Sequence, residues 1–326
     1  MSQLNLVQAV NLALAHAMQQ SPNVLVLGED VGADGGVFRA TDGLLKRFGS
    51  ERVFDTPLAE AGIVGLAVGL ATQGFRPVVE IQFAGFIYPA IDQLANHASR
   101  LRTRTRGRLS CPMVLRSPCG GGIRALEHHS ESPEAMFAHI PGLRVVIPSS
   151  PRRAYSLLLA AIESSDPVVF LEPTRLYRAA REEIEDDGKP GPLDRCFVAR
   201  EGLDATVVAW GAMVSEAMNA AATLAGEGIE IEVIDVATLK PLDAATIVDS
   251  VNKTGRCVIV HEAPLTAGFG AEIAAQVAEQ ALLSLVAPVV RVAGFDTVMP
   301  LPRLEQHYLP NPETVAAAVR RVMAYT

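Results

Sequence analysis

Five short apolar runs, NVLVLGED, RPVVEIQF, PMVLRSP, LRVVIPSS and PVVFLEP, recur through the first half of the chain. Alanine-rich or otherwise helix-patterned stretches stand between them. Strand-type runs alternating with helical ones specify parallel α/β layers, because each parallel crossover needs a helix to cover the sheet. A second series follows after about Gly202: ATVVAWG, IEIEVIDVATL, RCVIVHEA and PVVRVAG, again with helical stretches between. The 326 residues exceed one ordinary core. The expected fold class is therefore α/β with two doubly wound domains. The stretch REEIEDDGKPGP, dense in charge, glycine and proline, reads as a linker. The expected division is 1–178, a linker over 179–202, and 203–326.

Composition narrows the function classes. With 49% hydrophobic residues, 20% charged residues and a net charge of −8, the chain is a packed globular protein and no general nucleic-acid binder. Its one basic run, RLRTRTRGR over Arg100–Arg108, lacks interleaved aromatics and reads as a solvated helix end or a subunit contact. The N-terminal MSQLNLVQAVNLALAHAMQQ has no basic region and carries polar residues at helical spacing, so it reads as an amphipathic helix and not a signal peptide. No apolar run is long enough for a membrane span. Four cysteines (Cys111, Cys119, Cys196, Cys257) show no CxxC or metal-type spacing and are expected as reduced thiols of a cytoplasmic protein.

In open parallel sheets, ligands bind beyond the carboxyl ends of the strands. That rule selects Glu29 and Asp30, Asp55 to Glu60, Gln82, the loop CGGGIRALEHHSES, and His261 with Glu262. Glu60 opens a helix marked by Gly62, Gly65 and Gly69, glycines that suggest close approach of another backbone. It reads either as an acid favoured by the helix dipole or as a carboxylate exchanging a proton with a cofactor ring nitrogen. GGGIRA fits a dinucleotide fingerprint, but no apolar helix or acid-ended second strand follows it. His128 and His129 are adjacent, a spacing unsuited to one metal; at most one is expected to face a given pocket. An imidazole there suits general acid or base work.

Longer stretches carry a family resemblance. GEDVG…GGVFRAT, RVFDTPLAEAGIVG, RPVVEIQF, VLRSPCGGG, HSESPEAMFAHIPGLRVVIPSSP, FLEPTRLYR, VIDVATLKPLD, KTGRCVIVHEAPLTAGFGAEI and FDTVMP span nearly the whole sequence. In this order they resemble the beta subunit of the decarboxylating first component of 2-oxo acid dehydrogenase complexes. The resemblance implies a transketolase-like pyrimidine-binding domain followed by a transketolase C-terminal domain. It implies an oxidoreductase using thiamine diphosphate, shared with an alpha subunit that holds magnesium and the diphosphate through a GDG…N motif absent here. Two alpha and two beta chains, a beta–beta contact and transfer of the acyl group to a lipoyl-bearing acyltransferase are implied with it.

Residue by residue, Glu60 matches the carboxylate that bonds the aminopyrimidine nitrogen, and Leu58, Gln82 and Phe86 match positions around that ring. His129 matches the catalytic histidine, with proton donation during reductive acylation as its implied role; His128 is expected to face elsewhere. Gly85 stands where the branched-chain enzymes carry aspartate, and Phe86 where they carry tyrosine. Glu29 matches a position between the two cofactor sites. A potassium ion is implied on the backbone of Cys111, Met113, Val114, Ala161, Ser164 and Asp166. Branched-chain 2-oxo acids are the first expectation for substrate, with pyruvate as the alternative. A second alternative is a non-catalytic assembly module docking the acyltransferase.

Overall fold

The computed structural model describes residues 1–325. The first unit is built on a seven-stranded sheet in the order Thr238–Lys240, Arg144–Val146, Val168–Pro173, Val114–Cys119, Arg76–Glu80, Val24–Gly28, Val53–Asp55. Every pairing is parallel except at the first edge. The central strands are buried along their length, which is why they read as continuous apolar runs without alternation. One face is covered by Leu6–Gln20 packed on Pro151–Glu163. Both helices start on side-chain caps. Asn5 Oδ1 accepts from Gln8 N at 3.0 Å while Gln8 Oε1 accepts from Asn5 N at 3.1 Å, and Ser150 Oγ accepts from Arg153 N. Each cap stabilises its helix by about 1 kcal/mol.

The second unit has five strands in the order Val290–Gly294, Cys257–Pro264, Ala205–Ala209, Ile231–Asp235, Phe197–Arg200, parallel apart from the last. Helices Met213–Ala225 and Pro312–Met323 pack together over it. Two details differ from the division expected from sequence. The acidic segment is ordered: Glu182–Ile184 pairs with Ser2–Leu4, and Phe197–Arg200 joins the second sheet. Within IEIEVIDVATL the chain crosses back, so Thr238–Lys240 pairs antiparallel with Arg144–Val146 and stitches the two units together. A run of apolar residues reports burial, not which sheet buries it.

The glycines of helix Glu60–Thr72 meet no backbone elsewhere in this chain. A Cβ at Gly65 would touch only the Gln93 side chain, and one at Gly69 would meet nothing within 4 Å. Around Arg100–Arg108 the arginines are exposed; Arg102 pairs with Asp166 at 2.7 Å. All four cysteines are free and buried. No helix among the described residues is long and apolar enough to cross a membrane.

Candidate functional site

The carboxyl ends of Val24–Gly28, Val53–Asp55, Arg76–Glu80 and Val114–Cys119 bring all the selected residues but His261 and Glu262 to one edge of the first sheet; those two lie on Cys257–Pro264 of the second. Glu29 follows the first strand and is buried, with Oε1 unpartnered among the described residues. Burial raises its pKa, and the neighbouring charges of Glu60 and Asp30 raise it further. Glu60 is half-buried at the first position of its helix, where the preceding Ala59 offers no capping side chain. Leu58 stands 78% exposed on the turn before it. Gln82 Nε2 donates to Asp30 Oδ2 at 3.0 Å, and Asp55 accepts from the Gly32 and Ala33 amides at 2.6 and 3.1 Å. Thr56 Oγ1 is a second buried polar atom without a partner among the described residues.

Beside this acidic edge runs an aromatic wall. Tyr177, Phe38, Phe83 and Phe86 follow one another with centroid separations of 5.0, 5.5 and 5.9 Å. His129 lies against the wall's end, edge-on to Phe83 at 4.2 Å and to Phe86 at 5.5 Å. Its Nδ1 is buried and unpartnered among the described residues. Burial lowers its pKa and the adjacent His128 lowers it further, while Glu127 opposes both, so the ring favours the neutral form near pH 7. Phe83 and Phe38 were not singled out in the sequence. Phe83 directly follows Gln82 at a strand end, the one signal that pointed to it.

His128 corrects an expectation. Its ring lies 4.2 Å from that of His129 and 5.6 Å from Phe86, so both imidazoles share one wall. The alternation rule assumes an extended chain, whereas Glu127–His129 form a tight 3-10 turn in which neighbours diverge less.

Beneath the wall lies a buried ion cluster. Arg116, 1% exposed, binds Glu172 with Nε and Nη2 at 2.7 and 2.9 Å and Glu80 with Nη1 at 2.8 Å; Tyr177 donates to Glu172 at 2.7 Å. Of the residues implied for potassium, Met113 O accepts from Val168 N and Ser164 O accepts from Arg76 Nη1 at 2.9 Å. Cys111 O and Ala161 O also accept backbone amides. His261 is fully buried and stacked on Trp210, with Nδ1 3.0 Å from Ala263 O, a structural placement.

Two units built on largely parallel sheets, with an open acidic edge on the first, define a two-domain α/β protein of the transketolase type. The transketolase pyrimidine-binding domain family matches residues 2–180 and the transketolase C-terminal domain family residues 195–315. A solved split-gene transketolase, an inactive beta4 tetramer, superposes with TM-score 0.80 at 27% identity over 99% of both chains. Among curated relatives, the pyruvate dehydrogenase E1 component subunit beta of Bacillus subtilis (strain 168) is 48% identical over the full length of both chains. That of Acholeplasma laidlawii is 49% identical, covering 99% of this chain and 98% of its own. That of Leifsonia xyli is 50% identical, covering 99% and 95%. The chain belongs to the family of beta subunits of the first, oxidoreductase component of 2-oxo acid dehydrogenases.

Proposed function

We propose that the chain is the beta half of a pyruvate-decarboxylating first component, holding thiamine diphosphate together with an alpha subunit in an assembly of two alpha and two beta chains. Pyruvate displaces the branched-chain acids expected first from sequence, because the whole-length relatives at 48–50% identity are named for pyruvate. The motifs that resemble the branched-chain enzymes, HEAPLTAGFGAEI and GFDTVMPLPRLE, lie in the second unit. The observation that carries the reading is the unpartnered Glu29 oxygen beside Glu60 on the open edge.

The residues fit the pyrimidine half of the cofactor. Leu58 presents apolar surface for a ring face, Glu60 a carboxylate for a ring nitrogen, and Gln82 and Phe86 further polar and flat surface beside it. When bound, thiamine diphosphate supplies the electron sink that lets a 2-oxo acid lose carbon dioxide. Glu60, at a helix N-terminus, is held as the hydrogen-bonding partner of the aminopyrimidine edge. Burial and the neighbouring Glu60 and Asp30 raise the pKa of Glu29, which suits it to proton exchange within the site. His129 transfers a proton when the acyl group passes to a lipoyl group of the acyltransferase. The magnesium site belongs to the alpha chain in this reading. A potassium ion at Cys111, Met113, Val114, Ala161, Ser164 and Asp166 is part of the proposal too: helix Pro151–Glu163 ends there, and carbonyls keep a second lone pair. The buried free thiols suit a reducing cytoplasm.

The test reconstitutes the alpha chain with this one or with its Glu60→Gln or His129→Ala variant. Lipoyl acylation is then measured with pyruvate and with 2-oxoisovalerate. Both variants are expected to lose at least about 100-fold in kcat, a loss typical of removed acid–base groups. Full activity in both would leave only the assembly-module alternative, and a preference for 2-oxoisovalerate would reverse the substrate assignment.

A further inference from the structure

The loop Gly120–Glu131, which carries His128 and His129, is closed on itself by the Gly120 amide donating to Glu131 O at 2.8 Å. Its first half is held by the other domain. The Gly121 amide donates to Glu262 Oε2 at 3.0 Å and the Gly122 amide to Glu305 Oε1 at 2.8 Å. The Arg124 amide reaches both Glu305 oxygens, at 3.3 and 3.2 Å. Both carboxylates come from the C-terminal unit, Glu262 from strand Cys257–Pro264 and Glu305 from the start of the short helix Glu305–Tyr308. Both are buried.

The triple glycine exists for this seam. A Cβ at Gly120 would lie 2.6 Å from Glu262 Oε2, one at Gly121 2.8 Å from Met299 Cε, and one at Gly122 2.9 Å from Arg175 Cδ. Bare backbone lets the two carboxylates reach the amides. The amides of GGGIRA, a run that fits a dinucleotide fingerprint, are taken by the protein's own acidic side chains. Arg124 is held at φ +59°, a left-handed conformation that a non-glycine residue keeps only under restraint. Only Ala125 and Leu126 separate it from the turn Glu127–His129, where the His129 amide donates back to Leu126 O at 3.0 Å.

We propose that Glu305 is a positioning residue for His129, acting through the Gly122 and Arg124 amides, with Glu262 as the second anchor at Gly121. The inference rests on the role given to His129 above. Backbone amide bonds to the Glu305 carboxylate are charge-assisted and stronger than neutral ones, so they suit a tether that must hold a strained residue. The C-terminal domain then sets the geometry of the first domain's reactive loop.

A double-mutant cycle in the reconstituted tetramer tests this, with pyruvate-dependent lipoyl acylation as the readout. Glu305→Ala is expected to lower kcat about 10- to 100-fold, the effect of an ångström-scale misplacement, with little change in KM for pyruvate. Glu305→Gln, which keeps one acceptor, is expected to lose less, about 3-fold. On a His129→Ala background, Glu305→Ala should cause no further loss, because it acts only through that residue. Additive losses, or unchanged kcat in a folded Glu305→Ala tetramer, would overturn the proposal while leaving the His129 assignment standing. Full activity of His129→Ala alone would remove that assignment and the proposal together. If Glu305→Ala does not assemble, Glu305→Gln is assayed with amide exchange at Gly122 and Arg124. Slower turnover with faster exchange supports the tether, and no change in either overturns it.

Discussion

Gly85 lies directly under the carbonyl oxygen of His128, so close that a Cβ at position 85 would overlap that oxygen. The contact explains why glycine, and not the aspartate of the branched-chain enzymes, stands before Phe86: the histidine turn sits down on the wall here. Gly85→Ala must lift the turn from Phe83 and Phe86 or strain it, at about 1–3 kcal/mol. The variant should melt lower and acylate lipoyl groups about 10-fold more slowly or worse. Its loss with pyruvate should exceed its loss with 2-oxoisovalerate, because lifting the turn widens the space beside the wall. Equal kcat and melting temperature to the parent would show that the turn tolerates the displacement.

The two neighbours of His129 pull its protonation in opposite directions. His128 lowers its pKa and Glu127 raises it, with burial the largest influence. Replacing His128 by glutamine removes the opposing positive charge, so the His129 pKa rises and the limb of the pH–rate profile that reports it moves to higher pH. Glu127→Gln removes the favourable negative charge and moves the same limb to lower pH. Both shifts are read from kcat for lipoyl acylation across pH 5 to 9. Movement of both variants in one direction would assign that limb to another group.

Much of this arrangement was legible in the sequence because it depends on local pattern. The strand runs with polar ends marked the sheet edge, and Glu29, Glu60 and Gln82 fall on it as strand-end residues must. What stayed hidden depends on contacts between distant segments. Nothing local shows that Thr238–Lys240 leaves its own sheet for Arg144–Val146, or that Glu305 meets Gly122 across 183 positions. The pairing of His128 with His129 is hidden for a different reason: side-chain alternation holds for extended chain, and the 3-10 turn Glu127–His129 suspends it. The aromatic wall escaped notice because Phe38, Phe83 and Tyr177 lie far apart in the chain.

Arg116 carries the largest single stability prediction. It is enclosed with Glu80 and Glu172, one guanidinium between two carboxylates, and burial together with Glu172 raises the pKa of Glu80 against the pull of Arg116. Arg116→Met preserves much of the volume but leaves both acids buried without a counter-charge, at about 3–5 kcal/mol. A fall of several degrees in melting temperature is expected, partly recovered by adding Glu172→Gln. A variant as stable as the parent would mean that the cluster relaxes into water or neutralises without cost.

The domain seam should respond to pH. Glu134, which accepts from Trp210 Nε1 at 3.2 Å, and Glu262 both line a small cavity with Cys119 and Gly211, and burial pushes the pKa of each up to about 7. In the unfolded chain both return to the ordinary value of 4.5. Between these values the folded protein holds protons that the unfolded chain has released. Stability contributed by each group is therefore complete below about pH 4.5 and declines as pH rises toward 7, by up to about 1.4 kcal/mol per pH unit. The two acids repel one another, so their losses overlap and do not simply add. Glu134→Gln keeps an acceptor for the Trp210 N–H but has no proton to lose. Its melting temperature, measured from pH 5 to pH 8 beside the parent's, should fall less steeply, and the gap in its favour should open as pH rises. A gap that narrows with rising pH would place the buried proton on another group.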